Sequence, residues 1–177
     1  RAIRFNESTV RPMGRTATGV RGIRLAHDND EVIGMISVDD PNDTVLVVSE
    51  NGYGKRTELE DYRITNRGGK GVKTLNITEK TGDLISINNV NNNDDLMIIN
   101  KSKIVIRMAL NNLSVMGRAN QGVRLITLNK NDSISSVAKV EHEDDGETVD
   151  DPTLNGEEDT NQEASKENPD ESSENED

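Results

Sequence analysis

The sequence predicts an all-β fold, a propeller-like array of four-stranded blades of about 50 residues each. Three observations carry the prediction. The string Arg-x-x-x-Gly-Val-[Arg/Lys] occurs at 15–21, 67–73 and 118–124, with its glycines Gly19, Gly71 and Gly122 spaced by 52 and 51 residues. Short apolar runs bounded by turn residues recur in the same phase. No stretch of about 12 residues keeps a convincing helical period.

The elements follow in order. Residues 1–5 read as half of a strand pair, and 6–18 as a loop holding Pro12 and Gly14. Strands are predicted at 20–25, 32–38 and 45–49, separated by the turns Asp28-Asn29-Asp30 and 39–43. Asn51-Gly52 signals a tight hairpin, from which Lys55-Arg56-Thr57 returns as the fourth strand. The next period repeats the order: strands at 72–77, 84–90 and 96–99, a turn at 100–103, a return at 104–108. The third has strands at 123–128 and 134–140 and then stops. Apolar residues recur four and six positions after each glycine: Ile23/Leu25, Leu75/Ile77 and Ile126/Leu128. Thr57-Glu58-Leu59-Glu60 fits a capping box. No apolar run follows it, so a single helical turn is expected there.

Two regions result: 1–140, with two full periods and one truncated, and 141–177, a tail. The chain opens at Arg1 in mid-pattern, which predicts a piece of a longer protein. Charge divides the same way. Residues 1–140 carry 20 Lys+Arg against 16 Asp+Glu, while 141–177 carry one Lys against 17 Asp+Glu. The overall net of −12 therefore hides a mildly basic body. The tail has too few apolar residues to offset the entropy of ordering, so it is predicted to be disordered. Its functional reading is an intramolecular competitor for the basic body; its plain reading is a solubilising tail.

Cysteine is absent, which excludes a disulfide framework and thiolate metal sites. No apolar run approaches the roughly 18 residues of a membrane span, and no signal-peptide pattern is visible. A soluble, cytoplasmic protein is expected.

The chemistry that recurs is cationic and glycine-rich, which suits phosphate binding. The candidates are Arg4, Arg15, Arg21 and Arg24; Lys55, Arg56, Arg67, Lys70 and Lys73; and Lys103, Arg107, Arg118 and Arg124. Arg4, Arg56 and Arg107 each lie 15 residues before their glycine. Stacked blades would align such positions into a curved row of cations for bent duplex DNA, with affinity falling steeply as salt rises. Gly68, Gly69 and Gly71 would let backbone amides approach phosphates. For a single arginine a solvated surface is the plainer reading. The phased set favours function, because a structural repeat needs its apolar positions to recur rather than its surface charges. Arg21, Ile23 and Leu25 share parity, so a regular strand would aim the arginine at the core. Either a bulge intervenes, or Arg21, Lys73 and Arg124 belong to the loop.

Other groups are bland. With one Phe and two Tyr, the chain lacks stacking platforms for single strands. Tyr53 reads as a turn aromatic. His27 and His142 read as isolated surface residues. The acidic clusters fall in turns without calcium-loop spacing, so no metal or catalytic residue is predicted.

The strings Thr18-Gly19-Val20-Arg21-Gly22-Ile23-Arg24-Leu25, Asn51-Gly52-Tyr53-Gly54-Lys55-Arg56 and Gln121-Gly122-Val123 resemble the C-terminal domain of bacterial DNA gyrase A. The resemblance covers about residues 1–140 and the type of tail beyond. It implies a six-bladed β-pinwheel that wraps double-stranded DNA on its outer rim, with this chain as the last half of the ring. It implies partners too: the rest of gyrase A, together with gyrase B, in an A2B2 heterotetramer. ATP and Mg would act elsewhere in that complex, and this segment would need no cofactor. The family's glycine-arginine box lies in the first blade, whereas residues 67–71 fall in a later one. Two alternatives stay open: the equivalent domain of topoisomerase IV, and a propeller that scaffolds a protein partner.

Overall fold

The structure, a computed structural model, describes residues 1–142. They form strands β1 (Thr44–Ser49), β2 (Tyr53–Glu58), β3 (Leu84–Val90), β4 (Asp94–Asn100), β5 (Val105–Ala109), β6 (Val123–Arg124) and β7 (Ile134–Glu141). The helical pieces are two 3₁₀ turns, Glu7–Thr9 and Leu59–Asp61, the second lying where the capping-box string predicts a turn.

β1 organises the molecule. All six of its residues are buried, because side chains alternate between the faces of a strand and both faces here meet apolar neighbours. Leu46 and Val48 join Val90, Leu96, Ile98 and Leu110 in one core. Val45 and Val47 join Leu59, Tyr62 and Leu75 in another. Burying a side chain of this size contributes about 1.5–3 kcal/mol. A polar residue at any of the four would therefore open a core, whichever face it lies on.

β1 turns into β2 through Glu50, Asn51 and Gly52. Gly52 takes φ of 83° and donates its N–H to Ser49 O at 3.1 Å. A left-handed residue closing a three-residue loop suits the twist of the flanking strands. All strand pairs are antiparallel. One sheet has the order β3-β1-β2-β6 and the other β5-β4-β7. The ladder slips at Val48/Ser49 against β3 and at Ile99/Asn100 against β7, so the bulge recurs 51 residues on.

The sheets do not coincide with the periods read from the sequence. In the first sheet, β1 and β2 come from the first period, β3 from the second and β6 from the third. Each hairpin is completed by strands that follow it in the chain.

This exchange explains which predicted strands are absent. Residues 20–25, 32–38 and 72–77 contain no strand, and of 123–128 only 123–124 is one. β3 and β7, the counterparts of 32–38, pair with the hairpins β1–β2 and β4–β5 lying earlier in the chain. The sequence given holds no hairpin one period earlier for 32–38, and Val32 and Met35 stand 64% and 88% exposed. Residues 72–77 make one bridge, Val72 with Ala2, and then bond to a neighbouring loop. Residues 1–5 take part in two isolated bridges, Ala2–Val72 and Arg4–Ile64.

β7 runs one residue past the expected end of the folded body at 140. His142, expected to be isolated, is held against β4. Its N–H donates to Asn93 O at 3.1 Å, and its Nδ1 lies 2.8 Å from Asp95 Oδ1. The remainder of the predicted tail lies outside the described residues.

Candidate nucleic-acid interface

The three Gly-Val strings are loops but for the short β6 at the end of the third, and the second and third are each laid against the loop one period earlier. Arg24 N–H donates to Gly69 O at 2.8 Å, and one period on Asn76 N–H donates to Asn120 O at 3.2 Å. Two arginines fasten the steps. Arg67 donates from Nε to Thr9 O at 3.1 Å and from Nη1 to Arg21 O at 3.4 Å. Arg118 does the same one period later, to Asp61 O at 3.0 Å and Lys73 O at 2.8 Å. The glycines have a matching reason to recur. Gly19, Gly71 and Gly122 have φ of 81°, 64° and 81°, a region that side chains rarely enter. A Cβ on Gly71 would also run into the carbonyl of Ala2, and one on Gly122 into that of Gly54.

The loop ladder aligns the residue that follows each Gly-Val pair. Arg21, Lys73 and Arg124 are all exposed. Arg21 and Lys73 lie outside any strand, and Arg124 is the second residue of a two-residue strand. The parity problem is answered by place: Arg21 and Lys73 belong to loops, and Arg124 ends the short β6, where it is exposed. The inward positions are those four after the glycine, with Leu75 and Ile126 buried, while Leu25 and Ile77, six after it, are exposed.

Arg15, Arg24 and Lys70 lie on the same loops and are exposed. Among the described residues, the side chains of Arg15, Arg21, Arg24 and Lys70 make no hydrogen bond or ion pair, so they remain available to an anion. Lys73 Nζ makes one bond, to Asn76 Oδ1 at 3.0 Å. Lys103 is exposed in the β4–β5 turn, at φ of 66°. That turn is tied to Ser133 through Lys101 N–H rather than to the ladder.

Several candidates hold the fold together instead. Lys55, expected on the basic rim, is fully buried on β2. Its Nζ donates to Gly117 O at 2.8 Å and to Arg118 O. Burial, then the charge of Arg118, lowers its pKa to about 8, against the opposing pull of Asp61. Arg56 is 4% exposed and donates to Thr44 Oγ1 at 2.9 Å, Asn92 Oδ1 at 2.8 Å and Leu110 O at 2.9 Å. Arg4 donates to Leu59 O at 3.0 Å and Tyr62 O at 3.3 Å, closing the corresponding turn one period earlier. Arg107 bonds Asp95 Oδ2 at 2.7 Å and Glu141 O at 3.0 Å. The phase shared by Arg4 and Arg56 is thus set by main-chain carbonyls that must be satisfied. Gly68 N–H is likewise committed to Gly22 O, and Gly69 O accepts from Arg24, so these glycines serve loop-on-loop contact.

Sequence reasoning passes over Lys80. It lies outside the phased positions, yet its Nζ stands 5.3 Å from the centre of the Tyr53 ring. Only the fold brings it there. Among the described residues, no group of three or more His, Cys, Asp or Glu side chains could hold a metal ion.

Shared hairpins and a stepped row of cationic loops define a β-propeller-type repeat domain with one basic edge. A family model described as the DNA gyrase C-terminal domain, beta-propeller, matches residues 1–39, 43–91 and 94–141. The chain belongs to that family. The second matched segment spans β1–β3 and the third β4–β7, so the match follows the hairpin-plus-next-strand grouping of the sheets. The DNA gyrase A protein of Staphylococcus aureus strain MRSA252 is 50% identical over 161 residues, covering 90% of this chain and 18% of the relative. That of strain NCTC 8325 is 51% identical over 150 residues, 84% of this chain and 17% of the relative. The chain therefore spans less than a fifth of these relatives. A solved structure of a DNA gyrase A C-terminal domain superposes with a TM-score of 0.70 at 30% identity, over 76% of this chain and 45% of that one. The C-terminal domain of DNA topoisomerase IV superposes at 0.73 with 22% identity, over 79% and 43%, and shows the shared fold.

Proposed function

We propose that this chain binds duplex DNA along the loop ladder and bends it around the blades, as part of a gyrase A protein. One observation supports this above the others. The hydrogen bonds of Arg67 and Arg118 set the loops in register, so Arg21, Lys73 and Arg124 form a row of exposed cations. Contacts of this kind hold phosphates and carry no base sequence, so DNA would be chosen by its ease of bending. The domain contributes no catalytic residue and no cofactor site of its own. It works beside the rest of gyrase A and beside gyrase B, in the cytoplasm, where ATP and Mg on other parts drive negative supercoiling. Among the described residues no helix is long and apolar enough to cross a membrane.

The test is a topology-shift assay. Nicked circles are ligated in the presence of the 177-residue chain, or of a chain ending at His142, and the linking number is read on a gel. A positive shift that disappears at high salt is expected, and it should grow when the acidic 143–177 segment is removed. An unchanged linking number with folded protein would refute wrapping by this chain.

A further inference from the structure

We infer that Lys80, Tyr53 and Arg124 form a preorganised seat for one phosphodiester group of duplex DNA. The seat rests on the DNA-binding reading above and adds a residue that the repeat pattern does not contain. Arg124 donates to the Tyr53 hydroxyl from Nη2 at 2.9 Å and from Nε at 3.3 Å, with its guanidinium carbon 5.5 Å from the ring centre. Lys80 Nζ stands 5.3 Å from the same centre. Both cations are exposed, whereas Tyr53 is 7% exposed and fixed in the β1–β2 hairpin. An aromatic face attracts a cation within about 6 Å, so one ring orients both charges.

The backbone under Lys80 is also held. Asn51 Nδ2 donates to Glu79 O at 3.2 Å and Lys80 O at 3.4 Å, Asn51 N–H to Thr81 O at 3.2 Å, and Glu50 N–H to Asp83 O at 2.9 Å. The hairpin tip that carries Tyr53 therefore carries the turn that carries Lys80. Arg124 is fixed from the other side, paired with Tyr53 in the β2–β6 register.

Charge completes the argument. Among the described residues neither Lys80 nor Arg124 has a carboxylate within ion-pair distance. Two like charges are thus converged on one phenol with no anion of the protein between them. A phosphodiester shares its one negative charge between two non-bridging oxygens, so each cation could take one oxygen, and one of these could also accept the phenol O–H, which Arg124 leaves free to donate. The Arg124 hydrogen bond, chiefly, and the nearby Lys80 charge hold the Tyr53 pKa below its ordinary value. One period earlier Arg1 occupies the Tyr53 position opposite Lys73, so the seat exists once among the described residues.

The experiment measures binding of the full chain to a duplex over a salt series. Lys80→Gln should lower the magnitude of the salt slope by about 0.9, the contribution of one phosphate on B-form DNA. Tyr53→Phe removes the hydroxyl and keeps both charges; it should weaken binding about 3–10-fold with the slope unchanged. As a measurement without a variant, reductive methylation read by mass spectrometry should show Lys80 shielded by added duplex as strongly as Lys73, and unshielded by inorganic phosphate at the same phosphate concentration. A parental slope in Lys80→Gln, or equal methylation of Lys80 with and without DNA while Lys73 is shielded, overturns the seat and leaves the general reading standing. Loss of all salt-dependent duplex binding in the parent overturns both.

Discussion

Lys55 fastens the loop that carries Arg118: its ammonium donates to the carbonyls of Gly117 and Arg118. Arg118 in turn bonds the carbonyls of Asp61 and Lys73. A buried cation on a central strand is thus linked through one loop to a half-buried cation that fastens the basic edge. Lys55 takes part in no ion pair among the described residues, so main-chain carbonyls are its direct partners, with the charge of Asp61 acting from beyond ion-pair distance.

That arrangement sets a pH dependence. The Lys55 pKa is about 8 in the folded chain against an ordinary value of 10.5. Between those values the unfolded chain binds more protons than the folded one, so stability gains a positive slope with pH. Below about 8 both states are charged and the contribution is constant. The difference in melting temperature between the parent and Lys55→Met should therefore shift in the parent's favour as pH rises from about 8 to 10.5. A flat difference across that window would show that Lys55 is not proton-poor when folded.

Arg56 should behave as a structural residue. Its three acceptors, Thr44 Oγ1, Asn92 Oδ1 and Leu110 O, would lose their donor in Arg56→Met. Leaving a buried acceptor without a partner costs about 1–3 kcal/mol, and the three losses overlap. A total loss of about 2–4 kcal/mol is expected from chemical denaturation. The salt slope of DNA binding by the folded protein should not change, because this guanidinium faces the interior. A reduced slope with unchanged stability would return Arg56 to the interface.

Glycine substitutions should separate strained from open positions. Gly122→Ala places a Cβ against the carbonyl of Gly54 at φ of 81° and should cost more than about 2 kcal/mol. Gly14→Ala meets no heavy atom within 4 Å and should be neutral, or stabilising by up to about 1 kcal/mol. Thermal denaturation of the pair decides it; equal melting temperatures would contradict the loop-stacking geometry.

The repeat is legible in the sequence because its cause is steric. A glycine squeezed against the main chain of another period must recur, and so must the apolar residue four positions on, as Gly71 with Leu75 and Gly122 with Ile126 show. The hairpin at Asn51-Gly52 and the fully apolar β1 are legible for the same local reasons. The phased arginines are harder to read. Their recurrence suggests a shared ligand, but Arg4, Arg56, Arg67 and Arg118 recur because stacked turns leave carbonyls that only a long donor reaches. Charge can therefore be a structural period, contrary to the assumption that only apolar positions repeat for the fold. The strands expected at 20–25 and 32–38 do not form because a strand needs a partner, and periodicity does not say where the partner lies. Lys80 is illegible because its meeting with Tyr53 depends on the hairpin tip gripping a turn 28 residues away, at Asn51 and Glu79.

The division between fastening and binding cations can be tested with Lys73 and Arg118. Lys73 is exposed and bonds one neighbouring amide oxygen, at Asn76. Replacing it with glutamine removes a charge and little else, so stability should move by no more than about 0.5 kcal/mol. If Lys73 neutralises a phosphate, the magnitude of the salt slope should fall by about 0.9. Arg118→Met removes two bonds that hold one loop on another, at 3.0 and 2.8 Å. It should cost about 1–2 kcal/mol of stability, because the bonds are charge-assisted but partly exposed. It should also loosen the step between Lys73 and Arg124, so both cations would meet the DNA with more freedom and lower affinity. Duplex binding over a salt series, set beside denaturation curves, distinguishes the two. Equal stability losses in both variants would mean that Lys73 fastens the ladder too. An unchanged slope in Lys73→Gln would place the DNA path away from this row, because a phosphate held at Lys73 cannot lose its cation without retaining a counterion.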